Sequence, residues 1–298
     1  MPSPSVVIVG SGGRLGAALL RAWGASFATT GYTRAQLDIA DSKRVRKTLN
    51  AVQFDLLVNC AAQTNVDRCE THREEAFALN AEAPRVLAEI CTRKKARFVH
   101  VSTDYVFDGA KREPYAEDDE ANPISVYGES KGKGEKFVLE TDERHLVVRV
   151  SWVFGPDRPS FIDGVLKRAM EQEEIAAVAD KFSTPSYTPD LAAMLEVLCR
   201  NSEARGIFHL ANGGSCSWQE YAQWALDCAH AAGLPLKART VAALRLADMK
   251  IFVARRPPYT VLSTDKIAAF IGNRPRPWRE AVAEFVSNWG RPLPDNGS

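Results

Sequence analysis

The chain lacks most of the features that would send a protein to a membrane, a nucleic acid or a disulfide scaffold. No stretch of it approaches the roughly 20 apolar residues of a membrane span. The first apolar run, Val6 to Val9, is too short for a secretion signal and has neither the basic flank nor the small-residue cleavage site. Net charge is nearly absent: 38 Lys and Arg face 37 Asp and Glu, leaving +1. Such a chain builds no field for nucleic acid or for an anionic membrane surface. Its six cysteines, at 60, 69, 91, 199, 216 and 228, form no C-x-x-C pair and no Cys/His cluster of metal-ligand spacing. They read as small core residues in a reducing compartment, so the cytoplasm is the expected location and no metal is expected. Repeats and low-complexity tracts are missing too. A small-molecule partner is what remains.

What is present is an alternation of short β-branched runs with helical patterns. SVVIVG precedes LGAALLRAWG, FATTGY precedes DSKRVRKTLNAV, DLLVNC precedes APRVLAEICTRK, and RFVHVS and HLVVRVS follow. These strand runs are nearly all apolar, as expected where crossover helices cover both faces of a parallel sheet. The expected fold class is α/β, a Rossmann-type doubly wound parallel sheet with a smaller, discontinuous C-terminal substrate domain. Residues 1–151 form the dinucleotide-binding domain, with a return segment near 186–213, and residues 152–185 and 214–298 form the substrate-binding domain. In the later half, Thr188 is the expected N-cap of TPDLAAMLEVLC, Ser217 and Glu220 form a capping box, and the final PLPDNGS reads as a frayed tail.

Gly10-Ser-Gly-Gly13-Arg14-Leu15-Gly16 stands between the first strand and the first helix. Glycines there serve a tight turn, the approach of backbone N–H groups to a pyrophosphate, and close helix–strand packing, while the helix N-terminus supplies a positive dipole end. A ligand-free glycine turn is the bland alternative, and the strand-turn-helix context argues against it. Folds of this kind that take NAD usually end the second strand in an acid for the ribose 2′-hydroxyl. Here Thr33 and Arg34 stand there instead and would suit a 2′-phosphate, so NADP(H) is favoured with NAD(H) the alternative. Arg34 also reads as a plain solvated loop arginine. Asp38, beside Ile39, would reach an adenine or simply organise the loop that Asp41 and Ser42 close as a helix cap. Ala61 and Ala62 of NCAAQT are small enough for a cofactor to lie against backbone, and the hydroxyls of Ser102 and Thr103 in STDYVFDG arrive at the same sheet edge. Such hydroxyls are often turn chemistry alone.

Tyr127 and Lys131 in SVYGESKGKGEK share one helix face. A free phenol, with pKa about 10, is a poor acid at neutral pH. A lysine cation ~6–7 Å away at an effective dielectric of about 20 would favour phenolate by ~2.5 kcal/mol, roughly two pKa units. That would bring Tyr127 into the range of efficient general acid catalysis. Lys133 and Lys136 read as a solvated face. Gly132 and Gly134 weaken the helix by up to ~1 kcal/mol each relative to alanine and have no evident role.

Taken together, GSGGRLG with its G-x-x-G-x-x-G spacing, NCAAQTNVDRCE, STDYVFDG, PYAEDDEANPISVYGESKGKGE, RVSWVFG, GIFHLANGGSCSW and RPPYTVLSTDKI resemble dTDP-4-dehydrorhamnose reductase, a family of extended short-chain dehydrogenase/reductases. The resemblance runs in order from first strand to last helix. It implies hydride transfer from NAD(P)H to the C4 ketone of dTDP-4-dehydro-β-L-rhamnose. It also implies Tyr127 as proton donor, Lys131 on the nicotinamide ribose and Thr103 on the reacting oxygen. Asp104 and Trp152 match sugar-contacting positions, and Gly13 to Leu15, Asp38, Ile39, Ala62, Gln63 and Thr64 match cofactor contacts. The sequence departs from the usual DQxGSPT pattern at Lys181, Ser183 and Ser186, which bears on the sugar. A metal-bridged dimer described for some members uses a carboxylate where Ala17 and Ala18 stand here, so no metal is carried over, and a homodimer stays open. The regulatory subunit of methionine adenosyltransferase resembles the same family, so a non-catalytic NADP-binding subunit is the reading from another class. A reductase of a different nucleotide sugar lies between the two.

Overall fold

The structure, a computed structural model, describes residues 3–291, so the tail PLPDNGS lies outside the described residues. The first half delivers strands and helices in alternation. They are β1 (Ser5–Val9), α1 (Arg14–Trp23), β2 (Ala28–Tyr32), α2 (Ser42–Asn50) and β3 (Leu56–Asn59). Three short elements then follow that the sequence pattern does not predict: α3 (Val66–Thr71), α4 (Arg73–Phe77) and a π-helical turn, Ala78–Glu82, leading into α5 (Ala83–Lys94). β4 (Arg97–Thr103), α6 (Val126–Thr141) and β5 (Leu146–Val150) complete this part.

The sheet order is β10-β5-β4-β3-β1-β2, where β10 is the returning strand Gly206–His209, and every pairing in it is parallel. Both faces are buried because successive side chains alternate. Val6 and Ile8 of β1 pack on one face with Leu19, Trp23 and Leu195, while Val7 and Val9 pack on the other with Leu49, Leu87 and Val138.

The second half begins with β6 (Val153–Phe154), α7 (Phe161–Glu171), β7 (Ile175–Val178), β8 (Phe182–Ser183) and β9 (Ser186–Tyr187), then returns to the sheet through α8 (Thr188–Arg200) and β10. Thr188 is not the cap of α8. The helix starts one residue earlier than expected, with Tyr187 as N-cap, Thr188 as its first residue and Pro189 as its second, and the buried Thr188 hydroxyl has no hydrogen-bond partner among the described residues. After β11 (Cys216–Ser217) comes α9 (Trp218–Ala231), whose Ser217–Glu220 capping box is formed in both directions. β12 (Val241–Leu244), α10 (Asp265–Ile271) and α11 (Trp278–Ser287) end the fold. Ile162, Leu166, Leu226, Val282 and Phe285 form a separate core around β7 and β12. α10 lies within 214–298 but packs with the sheet layer: Ile267 is fully buried in that core and Phe270 meets Phe208 edge-on at 5.4 Å.

The two glycines of α6 are now distinguishable. A Cβ on Gly134 would collide with the carbonyl oxygen of Asn80 in the π-helical turn, whereas one on Gly132 would meet only Val106 at 3.8 Å, an ordinary contact. Gly134 therefore sets how closely α6 approaches the turn that holds Asn80, and Gly132 is not required by packing. Gly132→Ala should raise stability by up to ~1 kcal/mol, while Gly134→Ala should lower it by about 2 kcal/mol. Equilibrium urea unfolding of both variants checks this, and equal effects would contradict it.

Candidate active site

The ligand crevice of an open α/β sheet lies outside the carboxyl ends of the strands, where strand order reverses. Here β1 and β3 are neighbours, and the chain leaves their carboxyl ends in opposite directions, from β1 to β2 and from β3 to β4. At that point lies a cavity of about 770 Å³. Gly10, with φ +78°, turns the chain beneath it, and a Cβ there would sit 2.6 Å from the backbone nitrogen of Ala61. Gly13 caps α1 without any side-chain hydrogen bond, so the first turn of the helix faces the cavity with Gly12, Gly13, Arg14 and Leu15 in its wall. This uncapped, Cβ-free cradle has the form that a pyrophosphate needs.

Most of the residues singled out in the sequence converge on this cavity. Arg34, Asp38 and Ile39 line one end, Ala61, Ala62 and Thr64 one side, and Thr103, Asp104, Tyr127, Lys131 and Trp152 the other end. Three do not line it. Gly16 packs under the turn, where a Cβ would collide with the Gly10 carbonyl oxygen. Thr33 is closed into its own loop, its hydroxyl donating to Gln36 Oε1 at 2.9 Å. The Gln63 side chain turns away and donates to Glu75 at 2.9 Å. Arg34 is exposed and holds Asp38 at 3.4 Å, which joins the two open readings of that loop in one pair.

Around Tyr127 the local sequence explains the geometry. Ser125 caps α6 by accepting from the Gly128 amide, which starts the helix so that Tyr127 falls in its first turn against Tyr105, ring to ring at 5.6 Å. The phenol lies within hydrogen-bonding reach of Thr103. Thr103 donates its single hydrogen to Asp104 Oδ1 at 3.1 Å, which leaves its oxygen to accept from the phenol. Asp104 is buried, and its other oxygen accepts from Ser183 at 3.0 Å and Thr260 at 2.5 Å. Burial raises its pKa, against the nearby Lys181 and these hydroxyls.

The electrostatics correct one expectation. The Tyr127 phenol is pushed up from its ordinary value, first by burial, and Asp104 and Cys69 add to the rise while the Thr103 hydrogen bond opposes it. Lys131 does not counter this, because its side chain is engaged elsewhere: Nζ donates to the Val101 carbonyl at 2.6 Å and lies 3.2 Å from His100 Nε2. Burial brings Lys131 itself down to about 8. The protein's own groups therefore keep Tyr127 a protonated phenol at neutral pH.

The sequence reading also misses residues. Ser102 lines the cavity as expected, but its hydroxyl donates to Glu135, a residue not singled out, whose buried carboxylate also pairs with Arg149 at 2.7 Å. Asn80, inside the π-helical turn, joins the loop after β3 to α6: it accepts from the Gln63 amide at 2.8 Å and donates to Ser130 Oγ at 3.1 Å. Phe161, Trp218 and Tyr221 complete an aromatic wall with Trp152. Trp152 holds a positive φ of 38°, and its buried indole N–H, like the buried Tyr221 hydroxyl, has no partner among the described residues.

The motif model described as RmlD substrate binding domain matches residues 4–290. The chain belongs to the dTDP-4-dehydrorhamnose reductase family. It is 36% identical over 282 residues to the spore coat polysaccharide biosynthesis protein SpsK of Bacillus subtilis, covering 94% of this chain and 96% of that one. It is 36% identical over 286 residues to dTDP-4-dehydrorhamnose reductase of Mycolicibacterium smegmatis, covering 95% and 85%. The crystal structure of dTDP-4-dehydrorhamnose reductase from Bacillus anthracis in complex with NADP superposes with a TM-score of 0.89 at 31% identity, over 95% of this chain and 98% of that one. Family members are thus oxidoreductases, and the doubly wound fold is theirs.

One further contact frames the site. Asp67 of α3 accepts from the amides of Val253 and Ala254, both at 2.8 Å, and pairs with Arg256 at 2.6 Å, holding this segment where Phe252 meets Trp218 of the aromatic wall. The Arg256 hydrogen bond leads in lowering the Asp67 pKa to about 2. A depressed carboxylate contributes stability that is complete above its unfolded pKa and lost as pH falls through the folded one. Asp67→Asn should therefore cost about 1 kcal/mol at neutral pH. The gap in melting temperature from wild type should close between pH 3.8 and about 2. A gap that is constant with pH would contradict the ionic role of Asp67.

Proposed function

We propose that the chain reduces the 4-keto group of a dTDP-linked 4-keto-6-deoxy sugar, foremost dTDP-4-dehydro-L-rhamnose to dTDP-L-rhamnose, with NADPH favoured over NADH. The observation that carries this is the meeting of Tyr127, Thr103 and Lys131 in the cavity that the glycine turn also lines. The dinucleotide, when bound, supplies the hydride. Gly10, Gly13 and the first turn of α1 would hold its pyrophosphate, Arg34 its adenine end, and Ala61 and Ala62 its flat flank.

The remaining steps belong to this chain. Tyr127 holds its proton at neutral pH, since burial raises the phenol, and is positioned to give it to a developing alkoxide. Thr103, fixed by Asp104, hydrogen-bonds the same oxygen and sets its place between two hydroxyls. Lys131 would bond the nicotinamide ribose, and as a cation there it would ease loss of the Tyr127 proton. Trp152 and its aromatic neighbours offer the sugar a flat wall. Arg34 next to the cavity, with no acid at the end of β2, supports NADPH; the NADP found with the Bacillus anthracis relative agrees with it. All six cysteines are free thiols, which suits a reducing compartment such as the cytoplasm.

A second reading, reduction of a different nucleotide sugar, is favoured by the environment of Asp104. Ser183 bonds it directly and Lys181 is buried behind it, over the Tyr105 ring at 5.0 Å, both at positions where the chain departs from the family pattern. The non-catalytic subunit has no such support. With dTDP-4-dehydrorhamnose and NADPH, the purified protein should consume the reduced-nicotinamide absorbance; no consumption with this sugar but turnover with another would select the second reading. Tyr127→Phe should lose turnover by ~10²–10⁴-fold and still bind NADPH. Retained activity would refute the proton-donor role.

A further inference from the structure

A line of buried polar groups runs behind the cavity wall from the loop after β3 to the lysine of the site. It begins at Ala61, whose backbone N–H donates to Asn59 Oδ1 at 3.0 Å. This sets which way the Asn59 amide faces, and its Nδ2 then lies 3.1 Å from His100 Nδ1. An amide nitrogen offers only hydrogens, so Nδ1 must be the bare, accepting nitrogen, and in a neutral imidazole Nε2 carries the proton. His100 is neutral: it is fully buried, and its pKa lies well below the ordinary value, chiefly through burial and then through Lys131. Its Nε2–H faces Lys131 Nζ at 3.2 Å.

An ammonium group has three donors and no acceptor, so a charged Lys131 would set N–H against N–H across that contact. A neutral amine resolves it. Its lone pair accepts from His100 while one of its hydrogens goes to the Val101 carbonyl at 2.6 Å, and every member of the chain is then satisfied in one direction.

The charges around Nζ lead to the same conclusion independently. Glu135, one turn further along α6, is the carboxylate nearest in sequence, but it is committed to Arg149 of β5 through three hydrogen bonds of 2.7 to 3.2 Å, with both side chains almost wholly buried. From β3, Cys60 faces the lysine as a thiol that burial pushes up to about 12. From β4 comes neutral His100, and from α6 itself the protonated Tyr127. Among the described residues no unshared anion faces the amine, and burying an ammonium without one is costly.

We propose that Asn59 and His100 are positioning residues that favour the neutral form of the Lys131 side chain as a hydrogen-bond acceptor, so that the lysine becomes a cation only by releasing His100. The proposal deepens the reductase reading, in which Lys131 acts as a cation on the ribose, and rests on that reading only for the use to which the release is put. Tying the chain to the Ala61 amide places its origin in the cofactor wall, so the tautomer of an imidazole outside the cavity is governed by backbone inside it.

The test is read on the full chain without any turnover. With isotopically labelled lysine, the Lys131 side-chain signal, identified by its absence in Lys131→Arg, is followed by NMR as pH rises. In wild type it should titrate near pH 8. His100→Gln, whose side chain can turn its oxygen to an ammonium, should raise that midpoint by about one pH unit or more. Asn59→Ser, which frees the tautomer but still offers the Ala61 amide an oxygen, should shift it the same way and serves if His100→Gln does not fold. A merely structural role would lower the melting temperature and leave the midpoint in place. A wild-type midpoint at the ordinary 10.5, or unmoved midpoints in the folded variants, would overturn the proposal. A failed reductase assay would leave this titration unaffected.

Discussion

The site exists because β1 is paired in parallel on both sides. From its carboxyl end the chain passes through α1 on one face of the sheet to reach β2, and from the end of β3 it passes through α5 on the other face to reach β4. Right-handed crossovers leave no alternative once the strand order is set. Two neighbouring strand ends then part company, and the gap between them is where a glycine turn, a helix terminus and side chains from β4 and α6 face one volume. Close packing keeps that gap open. Gly10 lies against Ala61 and Gly16 lies under Gly10, and the amides of Gly10, Ser11 and Gly13 donate to backbone carbonyls, so the turn is held by backbone alone.

The groups behind the gap carry an unusual load for a sheet interior. Asn59, His100, Ser102, Glu135, Lys131 and Arg149 are all nearly or fully buried, apart from partial access at the cavity. Buried polar groups are tolerated when each finds its partner, and a half-satisfied network is worse than an apolar core. Here the carboxylate is taken by Arg149 and Ser102, and the lysine is left to neutral partners. The consequence is a division of protonation states: the phenol keeps its proton, and the lysine sits near the point where it can gain or lose one. A reductase that must deliver a proton to an alkoxide benefits from a phenol held in the acid form by burial, with a neighbour able to become cationic beside it.

How much of this was legible in the sequence depends on how local each feature is. The strands and crossover helices follow from apolar runs and their periods, and the Ser217–Glu220 box from three residues. The convergence of the glycine turn, Thr103, Asp104, Tyr127, Lys131 and Trp152 was legible through motif order and resemblance. What was not legible depends on contacts distant in the chain. Gly134 makes sense only against the Asn80 carbonyl across two helical elements. Thr33 and Gln63 fell out of the cavity through partners three and twelve residues away. The raised phenol reverses a Coulomb argument that was sound for an exposed helix, because burial outweighs a lysine whose nitrogen is bound by β4. One signal was available: Asn59 ends an otherwise apolar strand, and a polar residue inside a doubly covered strand needs a buried partner.

The central claim is that one cavity brings a nicotinamide carbon and a sugar ketone together over Tyr127 and Thr103. Its most direct measurement uses NADPH deuterated at the reactive nicotinamide carbon, with the dTDP-4-keto-6-deoxy sugar as acceptor and NMR of the product. The account predicts deuterium bound to C4 of the reduced sugar and nowhere else in it. Oxidised cofactor with no deuterium on the sugar would contradict it.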